Sequence, residues 1–221
     1  MRRLLERMHR ILSTPIGAGP RALVLAAALL VLPTYFLPLW NLTMFAPQYG
    51  EGLRLDIYSY KLDGGNGGQD LKEINLLNHY IGMRALEAED FTEFKWMPFV
   101  LGAIALVFLR AVVMGRVRDL VDSVMVFSYF GLFSLWSFAY KLYSYGHHLE
   151  PGAPVRVDPF MPPLLGGQQI ANFEVYSYPM AASWALFGVG FALLAALAFG
   201  VVVASRKDRA AAAAGAPAPG R

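Results

Sequence analysis

The stretch "MAASWALFGVGFALLAALAFGVVVA", residues 180–204, carries no charged residue from end to end. A helix rises 1.5 Å per residue, so about 20 apolar residues cross the roughly 30 Å of bilayer hydrocarbon. This stretch predicts a membrane span, and it decides how the rest of the chain is read. Three further runs share its character: residues 22–42, "ALVLAAALLVLPTYFLPLWNL", residues 97–114, "MPFVLGAIALVFLRAVVM", and residues 120–142, "LVDSVMVFSYFGLFSLWSFAYKL". Composition agrees. The 221 residues are 56% hydrophobic and 16% charged, against about 45–50% and about 25% in soluble domains. The third run is the most polar, with its serines and tyrosines, and is expected to pack inside the bundle.

Between the spans lie a basic N-terminal segment (1–21), a long loop (43–96), a short hairpin (115–119), a second long loop (143–179) and a tail (205–221). Lysine and arginine set the orientation, because cytoplasmic flanks retain them. Arg2, Arg3, Arg7, Arg10, Arg21, Arg110, Arg116, Arg118, Arg206, Lys207, Arg209 and Arg221 all fall on one side. The long loops hold most of the acids. Both termini are therefore expected in the cytoplasm and both loops outside, in a bacterial inner membrane. The first basic residues and apolar run also suit a secretory signal, but the run is long and no small-x-small site follows, so an uncleaved anchor is expected. Arg110 is expected to snorkel to the cytoplasmic interface, and Asp122, a turn beyond Arg118, is a candidate partner for it. The predicted fold class is mainly α: a four-helix transmembrane bundle with a small α+β extracytoplasmic cap.

The cap is expected to be folded, since structureless loops of about fifty residues are uncommon. "LRLDIYSYKL" (53–62) alternates as a strand, and "DGGNGG" (63–68) is a turn. From Asp70 the period becomes helical. Asp70 is a candidate N-cap with Glu73 completing a capping box, and Leu71, Ile74, Asn78 and Ile81 share a stripe with Leu77 beside it. In the second loop "VRVDPF" and "NFEVYSY" are candidate strands. The tail "AAAAAGAPAPGR" has a disordered composition.

Chemistry is sparse. Cysteine is absent, which removes disulfides, thiolate sites and c-type haem attachment. No histidine falls inside the four spans, which argues against a buried bis-histidine haem. No nucleophile elbow, Walker loop or H-E-x-x-H motif is present, so no enzyme is expected, and the acids Glu89, Asp90 and Glu93 are read as solvated. The sequence pI near 9.2 does not imply nucleic acid, because the basic residues flank the spans and form no single patch. One constellation stands out. His79 and Met83 are i and i+4 on the expected loop helix, so their side chains would share a face, and His147, His148 and Met161 lie in the other loop. Histidine with thioether suits copper.

"EINLLNHYIGM" (73–83) and "FMPPLLGGQQIANFEVYSYP" (160–179) resemble segments of small bacterial four-span inner-membrane proteins of the nitrous-oxide-respiration and copper-maturation type. The resemblance implies an accessory protein whose periplasmic loops dock or help mature a redox or metalloprotein partner, with copper as the candidate cofactor. Asn75, Asn78, His79, Tyr80, Gly82, Met83, Asn172 and Phe173 are the candidate docking residues. A subunit of a small-solute or metal permease, and a structural subunit of a respiratory complex, are the alternatives. The expected partners are the lipid bilayer and an extracytoplasmic or membrane protein, in a homo- or hetero-oligomer.

Overall fold

The structure, a computed structural model, describes residues 2–214, with side chains from 4 to 211. The helices are α1 (Arg2–Ser13), α2 (Ala18–Leu30), α3 (Gln69–Tyr80), α4 (Glu93–Met114), α5 (Val117–His147) and α6 (Ala181–Ala214). The strands are β1 (Trp40–Ala46), β2 (Tyr49–Ile57), β3 (Leu62–Gly64), β4 (Gly166–Ile170) and β5 (Phe173–Pro179). Four helical segments are long and apolar enough to cross a membrane: Ala18–Tyr35, Glu93–Met114, Val117–His147 and Ala181–Ala211. This is the architecture of a multi-pass membrane protein, mainly helical with one small antiparallel sheet.

The chain forms two packed units: Met1–Val31, Gly102–Phe130 and Phe187–Arg221 in the first, Leu32–Leu101 and Gly131–Leu186 in the second. In the first unit, small residues recur every fourth position along α6, at Gly188, Ala192, Ala196, Gly200 and Ala204. Side chains of other helices fill the space they leave. A Cβ on Gly200 would lie 2.8 Å from Leu120 Cδ1, and one on Gly188 3.3 Å from Leu30 Cδ1. Between helices in lipid, where water drives nothing together, such close approach supplies the van der Waals contact. Val24, Ala27, Phe108, Ala111, Leu120, Leu193 and Ala196 are buried in the same unit.

One end of this unit is tied by backbone and charge. Ile16 N–H donates to Gly115 O at 2.8 Å, and Val117 N–H to Thr14 O at 3.1 Å. Gly115 turns at φ +62°, and the Arg21 guanidinium occupies the place of a side chain there. Arg110 does not simply snorkel. It pairs with Asp119 at 3.1 Å and lies 3.9 Å from Asp122, and Asp119 is 2% exposed. Asp119 also accepts the Arg116 N–H at the start of α5. The expected Arg118–Asp122 pair is thus replaced by a bridge across the turn. Arg7 and Arg10 both reach Asp208 on α6, at 3.1 and 3.0 Å.

The second unit holds the sheet, in order β3-β2-β1-β5-β4, antiparallel throughout. Its central pair joins the two long loops: Thr43 faces Tyr176 and Met44 faces Val175. Trp40 Nε1–H donates to Ser177 Oγ at 2.7 Å across that pair. Met44, Leu53, Leu55, Ile170, Phe173 and Val175 form one face, on which Ile74 and Leu77 of α3 pack together with Ile81 just past its end, as the helical stripe predicts.

Several expectations are corrected. The first span ends early, because Pro33 lacks a donor and Pro38 follows. A single 3-10 turn, Leu32–Tyr35, closes it, and Trp40–Leu42 belong to β1 instead. "VRVDPF" forms no strand. Its Val155 N–H is spent on Tyr80 O at 3.1 Å. Asp70 is not the N-cap of α3; Gly68 is, in the left-handed region. The Asp70 carboxylate instead binds Arg54 N–H at 2.9 Å and Asn66 Nδ2 at 2.8 Å, bracing the glycine turn to β2. α5 is not enclosed: Tyr129, Leu132 and Trp136 are exposed, Trp136 at 61%. Residues 205–214 of the tail continue α6, while the disorder expected of 215–221 concerns positions outside the described residues.

Candidate functional site

α3 stops at Tyr80, four residues before Arg84, because Gly82 adopts φ +81° and the chain turns. Ile81 N–H and Met83 N–H both close on Asn78 O. Met83 therefore lies beyond the helix, 9% exposed, within the hydrophobic core of the sheet. His79 is exposed on the last turn. The shared helical face on which the copper pair rested is absent, and the physical reason is the glycine that ends the helix.

His147 Nδ1–H donates to Tyr143 O at 3.0 Å, and His148 Nδ1–H to Ser144 O at 2.9 Å. This fixes the tautomer and leaves Nε2 of each ring as a lone-pair donor. Their carbonyl partners are successive helical residues, so the rings stand about 100° apart round the helix. Tyr143 stacks on His147 at 3.7 Å between centroids. Met161 is exposed in the following loop. Among the described residues, no group of three or more His, Cys, Asp or Glu side chains is placed to hold a metal ion.

The candidate docking residues divide. His79, Tyr80 and Asn172 are exposed. Asn78, Gly82, Met83 and Phe173 are buried. Asn75 clamps a neighbouring segment, its Oδ1 accepting Leu86 N–H at 2.8 Å. Gly82 joins the loops, since Glu150 N–H donates to its carbonyl at 2.8 Å and a Cβ there would lie 2.9 Å from Glu150 O.

Two features escape the sequence reading. The first is a polar cluster on α5. Tyr145 O–H donates to Asp90 Oδ2 at 2.9 Å, and Arg84 lies 4.3 Å over the Tyr145 ring. Lys141 donates to Asp90 O and stands 3.9 Å from Glu93 Oε2, while Ser137 donates to Glu93 Oε1. Glu93 Oε2 is buried with no hydrogen bond of its own, so the Lys141 ammonium is its counter-charge. Asp90 and Glu93 are thus not simply solvated. Lys141, alone at the edge of an apolar run, is the signal that a counter-ion is needed.

The second is the open face of the sheet. Phe45 lies over Gly52 and Tyr176 over Gly167, filling the space each glycine leaves. The two rings meet edge to face at 5.8 Å. Around them Arg54 pairs with Asp56 at 2.9 Å, Asn41 Nδ2 donates to Asp56 Oδ1 at 2.8 Å, and Tyr176 O–H donates to Glu174 at 3.0 Å. That bond raises the Tyr176 phenol above its ordinary value. Beside the pair runs β4, an edge strand bonded only to β5 and carrying exposed Gln168 and Gln169. Chemically the surface offers flat aromatic area, a balanced ion pair and a row of unpaired backbone groups, which suit protein recognition better than catalysis.

No family model, no curated protein and no solved structure matches this chain.

Proposed function

We propose that this is an accessory protein of the bacterial inner membrane, whose sheet faces the extracytoplasmic side and docks a protein partner there. The observation that carries the reading is a single sheet, built jointly from both long loops, with one face closed by α3 and the other open beside an unpaired edge strand. An edge of this kind accepts an added strand, main chain giving affinity and side-chain pockets specificity. The basic residues flanking the spans support the orientation. The resemblance of residues 73–83 and 160–179 to nitrous-oxide-respiration and copper-maturation proteins makes a redox metalloprotein the class of partner. Copper ligation by His79 with Met83 is no part of this reading.

Photo-crosslinking in cells tests it. A crosslinking residue at Gln168 or Phe45 is expected to give one discrete adduct with an extracytoplasmic metalloprotein, and the same residue at lipid-exposed Leu106 none. Adducts to cytosolic proteins, or no protein adduct from either sheet position, would overturn the reading.

A further inference from the structure

The first helix has an unclaimed face. On a helical wheel Leu4, Leu5, Met8, Ile11 and Leu12 fall within an arc of about 120°. Leu4, Leu5 and Met8 are 65%, 61% and 55% exposed. The other side of α1 carries Glu6, Arg7 and Arg10, with His9 at its margin. Both arginines are committed, since Arg7 and Arg10 hold Asp208. The helix cannot leave the membrane boundary. Only Thr14–Gly17 separate it from the span that begins at Ala18, and Thr14 and Ile16 are bonded to the turn between α4 and α5.

We propose that α1 is a surface helix of the bilayer that its own spans cross. Leu4, Leu5 and Met8 seat in the adjoining leaflet, and the exposed basic residues beside α1 gather anionic phospholipid headgroups. Charge complementarity selects that occupant: Arg206, Lys207 and Arg209 are exposed on α6 beside Asp208, the residue that holds α1, and make a basic rim at one membrane surface. A helix with a basic polar face and an apolar face lies in the interface plane in this way. The double pair to Asp208 fixes its rotation, so that the apolar side stays turned from α6. The inference does not depend on which side of the membrane α1 occupies.

The chain lacks cysteine, so single-site labelling is clean. The full-length protein, with a polarity-sensitive fluorophore on Met8→Cys or on Glu6→Cys, is placed one copy per nanodisc. The discs are phosphatidylcholine alone or enriched in phosphatidylglycerol, and a water-soluble quencher is added. The Met8→Cys label is expected to be shielded in the anionic discs and the Glu6→Cys label to stay quenchable. Replacing Arg206 and Lys207 by glutamine is expected to weaken seating by about fivefold per residue. Equal quenching at the two positions in anionic discs would overturn the proposal. So would shielding indifferent to lipid charge, or shielding that appears only with two copies per disc, which would mark a protein contact instead.

Discussion

Gly82 binds the two long loops through its backbone, and no other residue type fits its geometry. Gly82→Ala puts a side chain at φ +81° against Glu150 O, and strain of this kind costs about 1–3 kcal/mol. Thermal unfolding in detergent, followed by protease cleavage in residues 150–160, is expected to report the loosening at lower temperature than in the parent. A second residue pair contributes to the pH dependence of the cap. Tyr49 donates its hydroxyl to the Glu73 carboxylate, and Gln69 adds a second donor. The Tyr49 bond and then that of Gln69 hold the Glu73 carboxyl below its ordinary 4.5, and the same Tyr49 bond lifts the phenol above 10.0. A depressed carboxyl stabilises the fold above its ordinary value and loses that contribution as pH falls through the depressed one. A raised phenol stabilises below 10.0 and loses it as pH rises further. The pair therefore contributes across the range between 4.5 and 10.0. In Tyr49→Phe the Glu73 titration, followed by carboxyl NMR, moves up towards 4.5; an unchanged midpoint would refute the link. At this scale the sequence misled where a local rule met a tertiary demand. Asp70 has the spacing of a cap, yet Arg54 N–H and Asn66 claim its carboxylate. His79 and Met83 have the spacing of a helix face, yet a glycine two residues before position 84 ends the helix between them.

Elements were legible where periodicity ran long and unopposed. Residues 180–204 read as a span because nothing in them competes, and α3 read correctly along Ile74 and Leu77. The boundary between α2 and β1 was not legible, because "PTYFLPLWNL" is largely apolar and hydropathy cannot separate a span from a strand. α1 was not legible although Leu4, Leu5, Met8, Ile11 and Leu12 carry its period, because that period runs for only 12 residues and is interleaved with arginines. Packing between elements gives two predictions. Ala196 is fully buried on the small-residue face of α6, so Ala196→Leu is expected to cost about 1–3 kcal/mol by overpacking, read as a lower melting temperature in detergent. Lys141 neutralises the buried Oε2 of Glu93. Lys141→Met leaves that carboxylate without its charge partner and is expected to destabilise by about 2–3 kcal/mol. Adding Glu93→Gln to it should recover part of the loss; a double variant as weak as the single would show that the ammonium acts elsewhere.

At the scale of the molecule, the pairing of β1 with β5 makes one sheet from segments more than a hundred positions apart, a union that no local pattern announces. Thr43 and Tyr176 face each other in register, and Cβ atoms directly opposite on antiparallel strands come as close as about 4.5 Å, the outer reach of a disulfide. In the cysteine-free background, Thr43→Cys with Tyr176→Cys is expected to oxidise readily, so that fragments cut between α4 and α5 stay linked on a non-reducing gel. Orientation is checked in the same background: an impermeant thiol reagent is expected to label Glu89→Cys in intact cells and to spare Arg118→Cys. The order of the strands also governs how the protein comes into being. β1 and β2 leave the ribosome first, and the neighbour that shields the open side of β1 is not synthesised until α4 and α5 have been made. Throughout that interval the nascent hairpin presents a bare strand edge, the kind of surface that invites mispairing. Emergence of β5 is what completes the sheet, so its closure waits on the two long helices made between its halves.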